Sequence, residues 1–535
     1  MTRGAGLALA AAAAVLWYPW LPRTASPDEA GFLLVAAQWQ PGSSLYGDFW
    51  VDRPPGLIAI FAGADALGAM FDGVPGGGPS PTAALTALRL IAALCVAVSV
   101  LLAALIGRLA APHPIAPERG RSTGSSLGWG AVVAAVLLPS PLVGAPLVAG
   151  EVLAVPFVLA GVATLLLGVR RVLDADSPSG TSERSGRGVS PGLLWGAATG
   201  ALGVLAFGVK QNFIDVVVVT AVVLAGAAWR HRDRATWLRL AAFGGVALLG
   251  ALASAAVLVW VAWARGTDPA ALWDAMYTFR VEAGQVIREH AAEPTQRRLI
   301  SLTRAIIFSG MPLLVSVLLV TARRGRAPRT EVDLLWPALA LLAWEVAVLP
   351  AGGSYWYHYL TGMVPGLVLL AVAAQQRHRP DDGLSRWRTA TVAFMVASTV
   401  IGAVTWPLIR DPGERGVPEV VEYLQQHGRP GDSLLVAYGT ADIVFNAGMA
   451  APYEHLWSLP VRVRDPELQQ LTRVLSGPDR PTWVVTEGTS LATWGVDASA
   501  AMRVLRSDYR AVSTIEAPEE TWTVFRHRDV AQRGD

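Results

Sequence analysis

Four short stretches of this chain hold residue types that could do chemistry. TASPDEAGFLL, residues 24–34, places two adjacent acids, Asp28 and Glu29, directly after the first long apolar run. YGDFWVDRPPG, residues 46–56, adds Asp48, Asp52 and Arg53, close enough along the chain to fold back on Asp28. PSPLVGAPLVAGEVLAVPF (139–157) and FGVKQNFID (207–215) set Glu151 and Lys210 at the ends of apolar runs. A set of this kind suits a reaction on the phosphate ester of a lipid. A guanidinium holds phosphate through two parallel hydrogen bonds, and a carboxylate can take the proton of an attacking hydroxyl.

The same residues also have plain structural uses. Ser26 or Asp28 can cap a helix whose apolar face is Phe32, Leu33, Val35 and Ala36. Glu151 can stabilise a helix N-terminus, and Lys210 can reach the membrane surface on an apolar stem. Two features weigh toward chemistry. An ionisable residue in a spanning segment is costly and is a functional candidate by default. Lys210 is the single lysine of a chain that otherwise uses arginine, and it falls where the charge rule expects no cation. In GGSYWYHYLTGMVPG, residues 352–366, Tyr355, Trp356 and Tyr357 read as an interfacial aromatic belt. The belt does not account for His358. Arg280, Glu282, Arg288 and His290 have two readings, the lining of a groove and the solvated side of an amphipathic helix, and the second needs less.

The elements that must position these residues lie in a membrane. Only 16% of residues are charged and the mean hydropathy is +0.42, against about 25% charged in ordinary soluble chains. Apolar runs of about 20 residues recur, the length of a spanning helix, and they lack the alternation of barrel strands. The fold class expected is a polytopic α-helical membrane protein. Eleven spans are predicted, at 5–22, 83–107, 128–146, 150–169, 191–209, 212–229, 239–263, 301–321, 333–350, 359–375 and 389–408. Residues 1–22 read as the first span and not as a cleaved signal. Arginines cluster in alternate loops, around Arg108, Arg170, Arg230, Arg323 and Arg377, which with Arg3 places those loops and the N-terminus in the cytoplasm. Residues 23–82 and 265–300 are then long outer loops. Residues 54–71 are apolar, but counting them as a span would break the charge pattern, so they read as a helix at the interface, with Pro54 and Pro55 in its first turn.

The domain reading follows: residues 1–410 in the membrane, with the first outer loop carrying the site, and 411–535 as a soluble extracytoplasmic α/β domain. SLLVAYG (433–439) and PTWVVTEG (481–488) read as buried strands, and YRAVSTIE and TWTVFRHR as a closing pair. Tyr453, His455 and Trp457 are candidates for a binding platform, while most aromatics of this segment read as core. The net charge of +2 implies no nucleic-acid partner, and the lone Cys95 allows no internal disulfide. No Cys/His cluster, HExxH or P-loop occurs, which argues against zinc and ATP sites. No cofactor is assigned; a divalent cation held by Asp28 and Glu151 stays open.

DEAGFLLVAAQWQPGSSLYGDFWVDRPPGLIAIF, residues 28–61, resembles the first outer loop of the GT-C glycosyltransferases. These are polytopic enzymes that use polyprenyl-phosphate sugars, and they include bacterial relatives of the protein O-mannosyltransferases and of lipid A aminoarabinose transferase. The shared order is an acid pair opening a helix, a GDF-like turn, and a basic-Pro-Pro step into an interfacial helix. The resemblance is strongest over residues 24–62 and continues to about 375. It implies Asp28 as general base, with Glu29 and Glu151 as further carboxylates of the catalytic set. It implies Arg53, Lys210 and His358 on the donor phosphate, and Asp48, Asp52, Gln211, Tyr359 and Trp356 on substrate. The sequence departs from the pattern at DRPP, where relatives often have His or Glu before Lys, and in using Glu at the second carboxylate. The implied activity is transfer of a hexose or pentose from a polyprenyl-phosphate donor to a cell-envelope glycan, lipid or protein outside the cell membrane, with inversion. Rival readings are a transporter or flippase of lipid-linked sugars, which would carry inverted repeats and mid-membrane charge, and a non-catalytic scaffold of the same fold.

Overall fold

The computed structural model describes residues 3–72, 81–111, 128–145, 147–174, 191–290, 293–325, 330, 332–351, 353–378, 383–409 and 415–529. It is mostly helical, with one small sheet near the C-terminus. Among the described residues six helices are long and apolar enough to cross a bilayer: Thr82–Leu109, Gly150–Asp174, Gly192–Val209, Arg234–Ala264, Tyr357–Arg377 and Ser385–Trp406. Thr295–Phe308 and Met311–Arg324 make a seventh candidate, bent by 47° at Ser309–Gly310. The bend interrupts the run expected at 301–321, and Pro312 in the first turn of the second piece prevents a continuous hydrogen-bond ladder. The run expected at 128–146 is likewise helical only over Trp129–Leu137, followed by a 3-10 turn at Pro141–Val143. Pro141 accounts for the stop, since the residue before it, Ser140, is extended at φ −76° and ψ 126°, as a following proline favours. Gly4–Trp20, Pro55–Met70 and Leu335–Ala351 are shorter apolar helices.

Residue contacts divide the chain into two compact units. The first gathers Met1–Leu21, Arg89–Val259 and Arg297–Val404. Its centre is made by Gly150–Asp174 and Tyr357–Arg377, whose apolar windows are 78% and 83% buried, whereas Arg234–Ala264 is 11% buried. A helix apolar all round and buried is a core helix; one equally apolar and exposed faces lipid. Gly200 and Gly250 let Pro191–Val209 and Arg234–Ala264 cross backbone to backbone, for a Cβ at Gly200 would lie 1.8 Å from the Ala247 carbonyl oxygen.

The second unit gathers Pro22–Leu88, Trp260–Gln296 and Thr405–Asp535. Its sheet has the order β1-β2-β4-β3, with β1 Leu434–Ala437, β2 Trp483–Glu487, β3 Tyr509–Glu516 and β4 Thr521–His527. β1 and β2 are parallel and the others antiparallel. Alternate residues of the strands feed two cores. Leu434, Val436 and Val485 join Val420 and Leu424 of the helix Val417–His427, while Leu435, Ala437 and Val484 join Leu471, Leu475 and Leu505. All four strands lie in the segments where the sequence predicted them, the first two as buried runs and the last two as a closing pair.

Asp442, in the first turn of the helix Ala441–Ala447, is 5% exposed. Burial pushes its carboxyl up to about 6, against the pull of the nearby Arg415 guanidinium. A carboxyl raised in the folded state loses stability as pH climbs from its unfolded value through its folded one, here from about 4 to about 6. At neutral pH the ionised group then costs about 2–3 kcal/mol. Asp442→Asn should raise the unfolding temperature at pH 7–8, and scanning fluorimetry should show the gain vanishing near pH 4.

Candidate active site

The acid pair opens the helix Pro27–Gln38, and Ser26 is its N-cap. The Ser26 hydroxyl accepts the Glu29 N–H at 3.2 Å, and the Glu29 carboxylate accepts the Ser26 N–H at 2.9 Å. This reciprocal capping box gives the two neighbours different work. Glu29 is buried and holds the end of the helix. Asp28 is half-buried, and its Oδ1 accepts the indole N–H of Trp457 at 2.9 Å. Phe32, Leu33, Val35 and Ala36 are buried, as the apolar face requires.

The loop that follows is shaped by Gln38, which no sequence signal singled out. Its Nε2 donates to the carbonyls of Leu45 and Phe49 at 2.9 and 2.8 Å, and its Oε1 accepts the Phe49 N–H at 2.6 Å. The loop then reaches Asp52 and Arg53. Asp52 is bridged between two guanidiniums, Arg53 at 2.5 Å and Arg280 at 2.7 Å. Arg280 is therefore an ion-pair partner of this loop and not merely a solvated charge. Two cations sharing one carboxylate leave a net positive spot, which suits an anion. The Arg53 guanidinium also lies over the Phe32 ring, 5.5 Å from its centroid. Asp48 is exposed in the turn. The helix Pro55–Asp72 follows and packs Phe61 edge-on to Phe32 at 5.4 Å.

The expected binding platform is not an open surface. Tyr453 and His455 are each 2% exposed. The Trp457 ring is laid against the helix Pro27–Gln38, 5.3 Å from Phe32, and a Cβ at Gly31 would fall 2.4 Å from the indole. Only glycine permits that approach.

In the first unit, Glu151 sits in the first turn of Gly150–Asp174 and Lys210 directly follows the last turn of Pro191–Val209. The two helix ends meet, with Lys210 Nζ 2.8 Å from Glu151 Oε1. Each charge opposes the helix dipole it caps, acid at an N-terminus and cation at a C-terminus. Both are buried, Glu151 at 1% and Lys210 at 8% exposure, so the lysine does not reach out to solvent. His358, in the 3-10 turn Tyr357–Gly362, places Nε2 4.0 Å from the same carboxylate oxygen. Its ring stands edge-on to Tyr359 at 4.9 Å and is stacked with Trp356 at 6.4 Å and 11°. Lys210 Nζ lies 5.3 Å from the Tyr359 ring centroid, and the Arg298 guanidinium 4.7 Å from that of Trp356. Gly144 backs the turn: it has φ +96°, and a Cβ there would lie 2.5 Å from His358 Cα. Gln211 follows Lys210 and is half-buried.

The structure thus gathers Glu151, Lys210, His358, Tyr359 and Trp356 in one cluster and Asp28, Glu29, Asp52 and Arg53 in another, each within its own unit. Glu151 is approached by one ammonium and one imidazole, the Arg298 guanidinium stands beyond Trp356, and a second buried acid, Glu345, lies against Gly362 of the His358 turn. The ammonium, imidazole and guanidinium are groups that can donate to a phosphate oxygen. Sequence reading passed over Arg298 and two buried acids of the same unit, Asp215 and Glu345 (0% and 2% exposed). Among the described residues no group of three or more His, Cys, Asp or Glu is placed to hold a metal ion.

No protein-family model and no curated protein matches the sequence. Solved structures do. ArnT from Cupriavidus metallidurans bound to undecaprenyl phosphate aligns over 98% of both chains with a TM-score of 0.57 and 15% identity. The same protein in its apo state aligns over 97% of both, at 0.56 and 14%. The Archaeoglobus fulgidus oligosaccharyltransferase tethered to an acceptor peptide aligns over 97% of this chain and 74% of its own, at 0.50 and 11%. The chain has the GT-C fold. It is a membrane protein of that fold, as its apolar helices require. The GT-C likeness runs through the C-terminal sheet as well as the helices, since 98% of the chain is covered.

Proposed function

We propose that this chain is a membrane glycosyltransferase, moving a sugar from a polyprenyl-phosphate carrier to a cell-envelope glycan, lipid or protein outside the membrane. The observation that carries the reading is the buried Glu151–Lys210–His358 cluster, set in a fold shared with a protein solved bound to undecaprenyl phosphate. Lys210 and His358 are donors for the carrier phosphate, and Glu151 holds the ammonium in place; Arg53 is the phosphate-binding cation of the first loop. Asp28 takes the proton of the acceptor hydroxyl as its oxygen attacks the anomeric carbon. The bond from that carbon to the phosphate oxygen breaks, and the electron pair leaves with the polyprenyl phosphate. Attack from the opposite face inverts the carbon. The carrier leaves as a stable anion, so it needs little help from an acid, and the phosphoester supplies the driving force without ATP. Glu29 fixes the helix that carries Asp28, while Asp48, Asp52, Gln211, Tyr359 and Trp356 contact substrate.

The topology that goes with this reading has eleven spans in the cell membrane and a cytoplasmic N-terminus. Residues 411–535 stand outside as a domain for the acceptor. A cavity of about 550 Å³ at the carboxyl ends of β1 and β2 supports that role, lined by Ser458, Arg462, Glu487, Ser490, Thr493 and Glu520. Ligands of α/β sheets commonly enter at this edge, and hydroxyl, carboxylate and guanidinium groups match a polyol.

The test is a transfer assay in lipid nanodiscs. Radiolabelled polyprenyl-phosphate hexose and pentose are offered in parallel, with envelope extract as acceptor, to wild type and to Asp28→Asn. Label moving to the acceptor with wild type alone establishes the transferase and names the sugar class. In sealed vesicles, label crossing the bilayer without transfer would replace this reading with a flippase. No binding of either donor would leave a scaffold.

A further inference from the structure

We propose that Trp457 is a positioning residue for Asp28, so that the C-terminal domain completes the first loop's reaction centre and is not a detached module. The inference rests on the reading of Asp28 as the base.

An indole N–H is a donor with no acceptor function, and it points at Asp28 Oδ1 from 2.9 Å. That bond engages one carboxylate oxygen and leaves Oδ2 for the proton of an incoming hydroxyl. A short aspartate half exposed to water would otherwise turn freely about its last torsion, whose well is broad. Here the partner that fixes it is itself immobilised. Its ring rests on Phe32 and lies over Gly31, where no other residue would leave room. Its backbone is extended, at φ −112° and ψ 146°, as the N-cap of the helix Ser458–Arg464. Three residues earlier the Glu454 carbonyl accepts the Trp50 N–H of the first loop at 2.9 Å. Below it, Phe445 of the helix Ala441–Ala447 packs on Ala25, Ala30 and Leu85. These contacts hold the donor and the acceptor of the Trp457–Asp28 bond in one frame. Packing alone would explain the ring; it would not require a nitrogen aimed at the carboxylate.

The test separates the ring from its N–H. Trp457→Phe keeps an aromatic on Gly31 and Phe32 and removes the donor. Benzothienylalanine introduced at position 457 keeps the whole shape and replaces the N–H by sulfur. Both are assayed in full-length protein in nanodiscs, with Asp28→Asn beside them. The expected result is a fall in kcat of about 10-fold or more, the scale of a misplaced catalytic group, with the donor KM and the unfolding temperature unchanged. A wild-type kcat for the benzothienylalanine protein, with Asp28→Asn inactive, would overturn the role of Trp457 and leave the base in place. Full activity of Asp28→Asn would remove the base itself. If Trp457→Phe fails to fold, the isosteric variant still decides.

Discussion

Asp28→Asn should lower sugar transfer by about 10²–10⁴-fold, the usual worth of a general base, with the protein still folded and still binding polyprenyl phosphate. An amide cannot take a proton from a hydroxyl at neutral pH. Its oxygen can still accept the Trp457 N–H, so the 2.9 Å contact survives the change. The helix Pro27–Gln38 loses one acid at its positive end, which costs about 0.3–1 kcal/mol, too little to unfold a protein of this size. The neighbouring acid supplies the contrast. Glu29→Gln retains a capping box, because glutamine can also reach back to the N-cap N–H, and should cost transfer far less. Equal losses at the two positions, measured as kcat at saturating donor, would count against assigning the base to Asp28.

The second large effect is expected at the buried ion pair. Lys210→Met leaves the Glu151 carboxyl at 1% exposure without its 2.8 Å partner, and Glu151→Gln strands the ammonium. Breaking one side of a buried pair typically costs about 3–5 kcal/mol, whereas replacing both sides with apolar groups is often nearly neutral. Lys210→Met together with Glu151→Leu should therefore recover most of the stability lost by either change. It should recover none of the transfer, because the donor for phosphate is gone. Unfolding in detergent and transfer on the same preparations read the two outcomes. If the double variant were both stable and active, the pair would be structural only.

The sequence made much of this legible, and the pattern of what it missed is physical. Local signals worked. Ser26 three residues before Glu29, the apolar face from Phe32 to Ala36, and the short apolar strands of the C-terminal sheet all act over short separations, where residue type dictates geometry. The two charges at helix ends were also visible, since a lone lysine in an arginine-rich chain and an acid beside an apolar run stand out. Their partnership was not, because Glu151 and Lys210 meet only when their helices pack. The helices break within the expected runs where proline and glycine act inside an apolar stretch, at Ser140–Pro141 and Gly310–Pro312, which hydropathy does not see. The partners of Gln38, Arg280 and Trp457 were missed for one reason: each is an ordinary residue type whose meaning comes from a distant contact. A glutamine that satisfies three loop groups looks like any surface glutamine until the loop closes.

The bond between Trp457 and Asp28 joins residues 429 positions apart. A ribosome adds about 5–20 residues per second, so the first loop waits roughly 20–85 s for its partner to be made. Throughout that interval the nascent chain carries Asp28 without the group that fixes it, and Gly31 without the ring that covers it. Contacts this distant in sequence are also among the last to form, because closing so long a loop is entropically costly. The site is therefore assembled at the end of synthesis. A truncated or stalled chain, though fully threaded through the bilayer, would hold an acid pair but no finished site.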